Sequence, residues 1–270
     1  MDRIYLSRPG MVCCAGASAE ECFDAAVKGS QRGIQEARLK DGRVFRAGWV
    51  PAVFPRLKNI AAAALAQMSG DIERARLRWG ARRVGVCAGS CDNGSEESLR
   101  AHDAYFSLGA FPPDYRISAQ SASGIAEWIA SAYRLEGPCL TAATACASSA
   151  GAVVKGKELL EAGVCDAVLA GGADLLSPTV LSGFSALEAL SPEITNPFSK
   201  NRQGITLGEG AAFFVLSREP PPGPRPLAAL LGAGESADAF HMTAPRPDGS
   251  SAALAMRRAF AQAVIAHFVV

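Results

Sequence analysis

The spacing of apolar positions changes several times along this chain, and each change predicts a different element. A short run, "RIYLS", predicts a first strand, and helical spacing over residues 19–28 follows Ser18, which is placed to cap that helix. Residues 41–54 alternate as in a hairpin or an edge insertion. An Ala- and Leu-rich periodic run over residues 58–79, interrupted by a Ser-Gly pair, predicts two helices or one kinked helix.

Three later runs are apolar almost without interruption and predict strands: "RRVGVCAGS", "GPCLTAATAC" and "CDAVLAGGAD". The last of them is of the kind that is buried on both faces of a sheet. Helical stretches separate the three runs, and residues 197–219 then predict a loop and a hairpin-type pair of strands. This alternation indicates an α/β fold with a largely parallel or mixed sheet.

Five prolines between Pro220 and Pro226 interrupt regular structure and mark a boundary. We therefore predict one unit at residues 1–219, a connector at 220–226 and a second unit at 227–270. The second unit contains one predicted strand and one predicted helix. Two elements are too few to form an independent core.

Bulk composition narrows the class of protein. Apolar residues make up 49% and charged residues 20%, which is enough for a sizeable core. The 27 basic and 26 acidic side chains nearly cancel, which gives no reason to expect nucleic acid or an anionic membrane as the main partner. No apolar run approaches the roughly 20 residues of a membrane span, and the N-terminus is typical of a strand and turn rather than a signal peptide. We expect a cytoplasmic protein.

The eight cysteines lack the spacing of a zinc motif, and most of them are expected to be buried, reduced thiols. Cys146 differs, because it lies in "GPCLTAATACASSAG", where a strand is predicted to end and a helix to begin. A helix N-terminus stabilises an anion, and the small neighbours Ala145 and Ala147 allow a tight elbow that exposes the sulfur. The Cys146 N–H can also hold an oxyanion. These features favour nucleophilic acyl transfer, with a buried structural cysteine as the alternative.

The segment around Cys146 and three others together resemble the β-ketoacyl synthase family, which has the thiolase-like fold. The other segments are "AGGAD" (Ala170–Asp174), "FSKNRQGITLGEGAA" (198–212) and "SADAFHMTAPRPDG" (236–249), in the family's order and approximate spacing. The resemblance runs over nearly the whole chain. It implies layered αβαβα architecture, with a complete N-terminal half and only the start of the C-terminal half. Within the family, residues 41–51 and 195–205 resemble those of discrete bacterial synthases, including those of aryl polyene biosynthesis.

The resemblance implies that Cys146 accepts an acyl chain from a carrier-protein thioester, without a cofactor or a metal. The acyl-enzyme then condenses with a carbanion formed by decarboxylating malonyl thioester, in fatty acid, aryl polyene or polyketide synthesis. Family members use two histidines for that step, and none can be assigned here. His102 lies in a polar helix where it is expected to be solvated, His241 lies in an entrance loop, and His267 has no Gly-Thr after it. We therefore expect a truncated member that condenses negligibly alone.

The family's partner is an acidic carrier protein that carries acyl or malonyl phosphopantetheine, and basic residues near the entrance dock it. Arg56 and Lys58 are candidates, with an ordinary solvated face as the alternative. Glu188 stands where elongating relatives often have Arg, which weakens a simple transfer of the docking surface. Asn201 and Arg202 are expected to hold their own loop.

Glu209, in the glycine-rich "GITLGEGAA", is as consistent with a structural as with a functional role. By resemblance, the chain forms a homodimer or a ketosynthase-type heterodimer through "CLTAATA". Two other hypotheses remain open: a non-catalytic partner subunit of the chain-length-factor kind, and a defunct fragment. Partner subunits of that kind usually lack the nucleophilic cysteine, so Cys146 favours the enzyme.

Overall fold

Two β-sheets organise the molecule, whose computed structural model describes residues 3–220, 223–241 and 243–263. The strands of those residues are β1 (Ile4–Leu6), β2 (Gly10–Cys13), β3 (Ile34–Arg38), β4 (Val44–Gly48), β5 (Val84–Gly89), β6 (Cys139–Ala142), β7 (Ala167–Asp174), β8 (Leu207–Gly208), β9 (Gly210–Ser217) and β10 (Ala228–Leu230). The helices are α1 (Ala19–Val27), α2 (Arg56–Ala66), α3 (Ser69–Trp79), α4 (Ser95–Leu108), α5 (Gly124–Tyr133), α6 (Ser148–Glu161), α7 (Pro178–Ala186) and α8 (Ser250–Gln262).

The main sheet has seven strands within the described residues, in the order β10-β1-β9-β7-β5-β6, with β2 also paired to β9. Its centre is parallel: Gly89 at the end of β5 lies opposite Ala142 of β6 and Gly172 of β7. The long strand β9 runs antiparallel to β7 along its full length. The sheet is therefore mixed, and the carboxyl ends of β5, β6 and β7 meet at one edge.

Helices cover both faces of the main sheet. On one face α2, α3 and α5 bury the largest cluster of apolar side chains, which includes Ile60, Ile72 and Phe213. On the other face α6 packs through Gly156, where an added Cβ would lie 3.0 Å from Leu216 Cδ1. Successive side chains of β5 point to opposite faces of the sheet. Val86 belongs to the apolar cluster beneath α2, α3 and α5, and Cys87 belongs to the cluster beneath α6. The predicted α/β class with layered helices and sheet is confirmed.

Several local predictions are confirmed. Ser18 caps α1 by accepting a hydrogen bond from the Glu21 N–H at 3.1 Å. The long Ala- and Leu-rich run forms two helices, α2 and α3, that break at residues 67–68. The central strand β7 is buried along nearly its whole length, as its apolar sequence indicates.

The predicted hairpin over residues 197–219 is wrong. The short strand β8 pairs in parallel with β4 in the second sheet, whereas β9 enters the main sheet between β7 and β1. The second sheet is instead built on an antiparallel pair, β3 and β4, in the order β3-β4-β8. Glu209 lies between β8 and β9 and separates the two sheets along the chain.

The residues after the proline-rich connector pack onto the rest of the molecule. Strand β10 pairs antiparallel with β1, placing Leu230 opposite Ile4. Helix α8 lies so close to the segment that follows β10 that a Cβ on Gly232 would meet the Ala259 carbonyl oxygen at 2.2 Å. The division at residues 219 and 227 stays a prediction. None of the helices in the described part of the chain combines the length and apolarity required to cross a bilayer.

Candidate active site

Two loops and the last residue of β7 meet where the parallel strands of the main sheet end. Residues 90–92 follow β5, residues 143–147 follow β6, and Asp174 closes β7. In open α/β sheets, the carboxyl edge of parallel strands is where ligands and catalytic groups collect. The predicted nucleophile, Cys146, lies at this edge, and its side chain is exposed.

The turn that carries Cys146 is a tight elbow between strand and helix. Ala145 has a φ of +51°, a left-handed conformation that costs an L-residue about 1–2 kcal/mol. Ser148, the first residue of α6, offsets that cost: its buried hydroxyl accepts a hydrogen bond from the Thr144 N–H at 2.9 Å and donates one to the Ala145 carbonyl at 2.6 Å. Cys146 is thereby presented one residue before the α6 N-cap, Ala147.

Two glycines allow α6 to begin this close to the sheet. A Cβ added to Gly89 would lie 2.4 Å from the carbonyl carbon and oxygen of Ser148. A Cβ added to Gly172 would lie 2.1 Å from Ser149 Oγ and 2.5 Å from the Gly89 carbonyl oxygen. Real Cβ atoms are not found at such distances, so the position of the helix start depends on these two glycines.

A second thiol lies at the same edge of the main sheet. Cys91 follows β5 and is exposed as a residue. Desolvation of its thiol raises the pKa of Cys91, and the neighbouring Asp174 carboxylate adds to that rise. Most of the eight cysteines are expected from the sequence to be buried, but only Cys22, Cys87 and Cys165 are, and Cys91 is exposed. The signal that could have identified it is its position two residues beyond a strand that ends at the same edge as β6.

Asp174 holds the Cys91 loop in place. Its Oδ1 accepts hydrogen bonds from the Cys91 N–H at 2.6 Å, from the Ser90 hydroxyl at 3.0 Å and from the Asp92 N–H at 3.1 Å. Burial nevertheless raises the pKa of Asp174, because desolvation outweighs the three hydrogen bonds that lower it.

Replacing Asp174 by asparagine is expected to flatten the pH dependence of stability. The folded protein holds the Asp174 proton more tightly than the unfolded chain does. Its contribution to stability is therefore complete below the ordinary pKa of aspartate and is lost as pH rises through the raised folded value. Asparagine keeps an oxygen that can accept the same hydrogen bonds. Urea unfolding between pH 4 and 8 should show the wild-type protein losing this contribution, whereas Asp174→Asn does not.

Asp166→Asn is the matched control with the opposite sign. Hydrogen bonds from Arg83 and Arg218 lower the pKa of Asp166, so its contribution is present throughout pH 4 to 8 and is lost only as pH falls below the ordinary pKa of aspartate toward the folded value. Equal pH profiles for Asp174→Asn and the wild-type protein would contradict the placement of the Asp174 carboxylate.

Glu209 and the docking candidate Arg56 belong to one internal network. The fully buried Glu209 carboxylate accepts hydrogen bonds from the Val50 N–H at 2.9 Å and the Leu176 N–H at 3.2 Å, and it pairs with Arg56. Arg56 also contacts Glu96, with 3.3 Å between Nε and Oε1. Of the two roles left open for Glu209, its contacts are those of a structural residue.

The second docking candidate, Lys58, is partly exposed, and its Nζ lies 3.4 Å from Glu97 Oε1. It lines a cavity of about 380 Å³ together with Asn93 and Trp128. The guanidinium of Arg56 is occupied by two carboxylates, so Lys58 retains the better access to a partner. Docking at either residue stays a prediction.

The expectation that His102 is solvated is wrong. Its Nδ1 donates a hydrogen bond to the Ser98 carbonyl at 2.8 Å, and its ring packs edge-on against Phe111 with 5.4 Å between centroids. His241 is exposed, as its loop position indicates, and His267 lies outside the described residues. Arg202 donates a hydrogen bond to the Ser199 carbonyl at 3.0 Å, within its own loop. Over residues 3–220, 223–241 and 243–263, no group of three or more His, Cys, Asp or Glu side chains is arranged to hold a metal.

Comparison with known proteins agrees with this geometry. The family model of the β-ketoacyl synthase N-terminal domain matches residues 25–221. The chain is similar to nodulation protein E of Rhizobium meliloti, 35% identical over 66% of this chain and 44% of the relative. It is also similar to 3-oxoacyl-[acyl-carrier-protein] synthase 2 of Vibrio cholerae, 33% identical over 68% of this chain and 47% of the relative. It thus spans about half the length of the curated relatives it matches.

A solved structure shows the same fold. The ketosynthase of Xenorhabdus doucetiae, determined in complex with its chain length factor, is 34% identical and overlays with a TM-score of 0.88. The overlay covers 98% of this chain and 69% of that one, which confirms the predicted thiolase-like architecture. The chain therefore belongs to the β-ketoacyl synthase family.

Proposed function

We propose that this chain carries the nucleophile of a β-ketoacyl-[acyl-carrier-protein] synthase, and that Cys146 accepts the acyl group. The observation that carries the proposal is the exposed thiol on a strained elbow directly before the N-terminus of α6. Three further findings support the same assignment. They are the sequence segments that resemble the family, the match to the family model and the likeness to a solved ketosynthase.

Acyl transfer follows from this geometry. The Cys146 sulfur attacks the carbonyl carbon of a carrier-protein thioester, a new C–S bond forms, and the carbonyl oxygen becomes negatively charged. The Cys146 N–H and the positive end of the α6 dipole would stabilise that oxyanion. Collapse breaks the C–S bond to phosphopantetheine, and the leaving thiolate takes up the proton that Cys146 gave up.

Condensation is the second half of the proposed reaction. The acyl group on Cys146 joins a carbanion formed from malonyl-[acyl-carrier-protein] by loss of carbon dioxide. His102 packs in an aromatic cluster and His241 lies on an exposed loop, so we assign only the acyl-transfer step to the described residues. The division into a nucleophile half at residues 1–219 and a further unit at 227–270 belongs to the same proposal.

The proposed partners are an acyl carrier protein and a second ketosynthase-type subunit, either a copy of this chain or a chain-length-factor relative. Within the described residues, strand β6 lies at one edge of the main sheet, and its Leu140 is exposed. The large apolar side chains Phe106 and Ile117 are also exposed, each at 82%. Unpaired strand edges and exposed apolar patches favour pairing with another subunit, and the Xenorhabdus ketosynthase was solved with its chain length factor.

The test is acylation of the full chain by a small acyl thioester, acyl-N-acetylcysteamine, followed by intact-mass measurement. The wild-type protein is expected to gain one acyl group that hydroxylamine removes. Cys146→Ala is expected to gain none. Cys139→Ala is the matched control, because Cys139 is also exposed but lies on β6 rather than at the elbow. Equal acylation of Cys146→Ala and Cys139→Ala would overturn the assignment.

A further inference from the structure

Two thiols outside the candidate active site are in direct contact between β2 and α1. The Sγ atoms of Cys13, the last residue of β2, and Cys22, in α1, are 3.4 Å apart and share a hydrogen bond. The Ala15 N–H donates a hydrogen bond to Cys13 Sγ at 3.4 Å. The Cys22 thiol is placed to donate to the Gly16 carbonyl, also at 3.4 Å. The pair is therefore held by the turn that joins the strand to the helix.

The backbone of that turn fits closely against α1. The Cys13 N–H donates to the Gly16 carbonyl at 3.0 Å, and the Gly16 N–H donates to the Cys13 carbonyl at 3.2 Å. A Cβ added to Gly16 would lie 2.8 Å from the Cys22 nitrogen. Strand β2 is also paired with β9, which places Cys13 opposite Gly210. Backbone contacts, and not only the side chains, thus bring the two thiols together.

We propose that Cys13 and Cys22 form a reversible disulfide when the protein meets a hydroperoxide, which makes this thiol pair an oxidative modification site. The 3.4 Å between the sulfurs is within the roughly 3–3.5 Å that separates reacting atoms placed for attack. Cys13 is partly exposed and lines a cavity of about 260 Å³ together with Ser149 and Asp174. A small oxidant can therefore reach Cys13 without an opening of the fold.

The oxidation balances in two steps. The Cys13 sulfur attacks one oxygen of hydrogen peroxide, the O–O bond breaks, and the products are a Cys13 sulfenic acid and water. The Cys22 sulfur then attacks the Cys13 sulfur, an S–S bond forms, and the hydroxyl leaves as a second water with the Cys22 proton. Two thiols are oxidised, one hydroperoxide is reduced, and a dithiol reductant reverses the change.

Access and ionisation assign the order of the two steps. Cys22 is buried, whereas Cys13 is partly exposed. Burial raises the pKa of Cys22 to about 12, and its hydrogen bond with Cys13 adds to that rise. A protonated, buried thiol is a poor first nucleophile toward an oxidant from solution. Cys13 is therefore oxidised first, and Cys22, which is already in contact with it, completes the disulfide.

The adjacent thiol of Cys14 provides an internal comparison. Its sulfur packs against β4, where a Cβ added to Gly48 would lie 2.6 Å from Cys14 Sγ. In the part of the chain that the structure describes, no hydrogen bond joins Cys14 to another thiol. Desolvation raises the pKa of Cys14, and the neighbouring Cys13 adds to that rise. Cys14 is therefore expected to stay outside the disulfide, although it is next to Cys13 in the sequence.

The experiment treats the full wild-type chain with hydrogen peroxide, blocks free thiols with N-ethylmaleimide, and maps disulfide-linked peptides by mass spectrometry. Glutamyl endopeptidase cleaves after Glu20 and Glu21, which separates the peptide of Cys13 from that of Cys22. The expected product links these two peptides and disappears after dithiothreitol. Because the first peptide also contains Cys14, two variants assign the sulfur. Cys13→Ala is expected to lose the link, and Cys14→Ala, the matched control, is expected to keep it.

A third variant tests the role of Cys22. In Cys22→Ala, the same treatment should carry Cys13 to sulfinic acid, which dithiothreitol does not restore. The inference would be overturned by wild-type protein in which Cys22 stays reduced after peroxide, or by a link that persists in Cys13→Ala. Neither thiol takes part in the proposed acyl transfer, and the mapping uses no thioester. This inference and the proposed function can therefore fail independently of each other.

Discussion

Replacing Glu209 by alanine is expected to lower the free energy of unfolding by about 3–5 kcal/mol, the usual cost of breaking a buried ion pair by removing one partner. The Glu209 side chain is fully buried and bonds Arg56 together with two backbone N–H groups, of Val50 and Leu176. Alanine leaves those N–H groups without their acceptor in a buried place. Because a domain of this size has about 5–15 kcal/mol of stability in total, chemical denaturation should show a large shift of the midpoint.

Glu219→Ala is the matched control for that prediction. Glu219 also pairs with an arginine, Arg78, but both side chains are largely exposed, at 64% and 42%. Exposed pairs contribute at most about 1 kcal/mol. If Glu209→Ala costs no more than Glu219→Ala, the buried contacts of Glu209 with Arg56, Val50 and Leu176 do not stabilise the fold as this prediction requires.

Replacing Gly89 by alanine is expected to damage both stability and acyl transfer. The new Cβ would lie 2.4 Å from the Ser148 carbonyl, which is backbone and cannot rotate away. Overpacking of this kind costs about 1–3 kcal/mol. The start of α6 must move with Cys146, and a displacement of about 1 Å can slow a positioned reaction by about 100-fold. Urea unfolding and the rate of acylation by acyl-N-acetylcysteamine measure the two effects.

Gly183→Ala is the matched glycine variant. Gly183 lies in α7 with no atom within 4 Å of an added Cβ, so alanine there should stabilise the helix by about 0.5–1 kcal/mol and leave acylation unchanged. Equal acylation rates for Gly89→Ala and the wild-type protein would show that the close approach of β5 to α6 does not position Cys146.

Predictions succeeded where the signal is local. A few consecutive residues determine each of these features: the Ser18 cap of α1, the apolar strands β5 and β7, and the elbow around Cys146. Local chemistry decides these features: a hydroxyl satisfies a helix terminus, and unbroken apolar runs suit strands with both faces covered.

Predictions failed where distant residues decide the outcome. The destination of β8 depends on β4, about 160 positions earlier, and the role of Arg56 depends on Glu209, 153 positions later. The meeting of the Cys91 loop and the Cys146 elbow at one sheet edge depends on which strands become neighbours. Such pairings follow from sheet order, which periodicity does not encode. His102 shows the same limit, because a polar helix does not reveal an aromatic loop folded against it.

The measurement that tests the account most directly is the location of the acyl group in the wild-type protein. Brief exposure to acyl-N-acetylcysteamine, followed by digestion under mildly acidic conditions, maps the thioester among all eight cysteines. The account predicts acyl on the Cys146 peptide, at a rate that falls to that of an ordinary thiol when the protein is unfolded in urea. Acyl on Cys91 or Cys139 instead, or a Cys146 rate unchanged by unfolding, would contradict the assignment of Cys146 as a nucleophile activated by the fold.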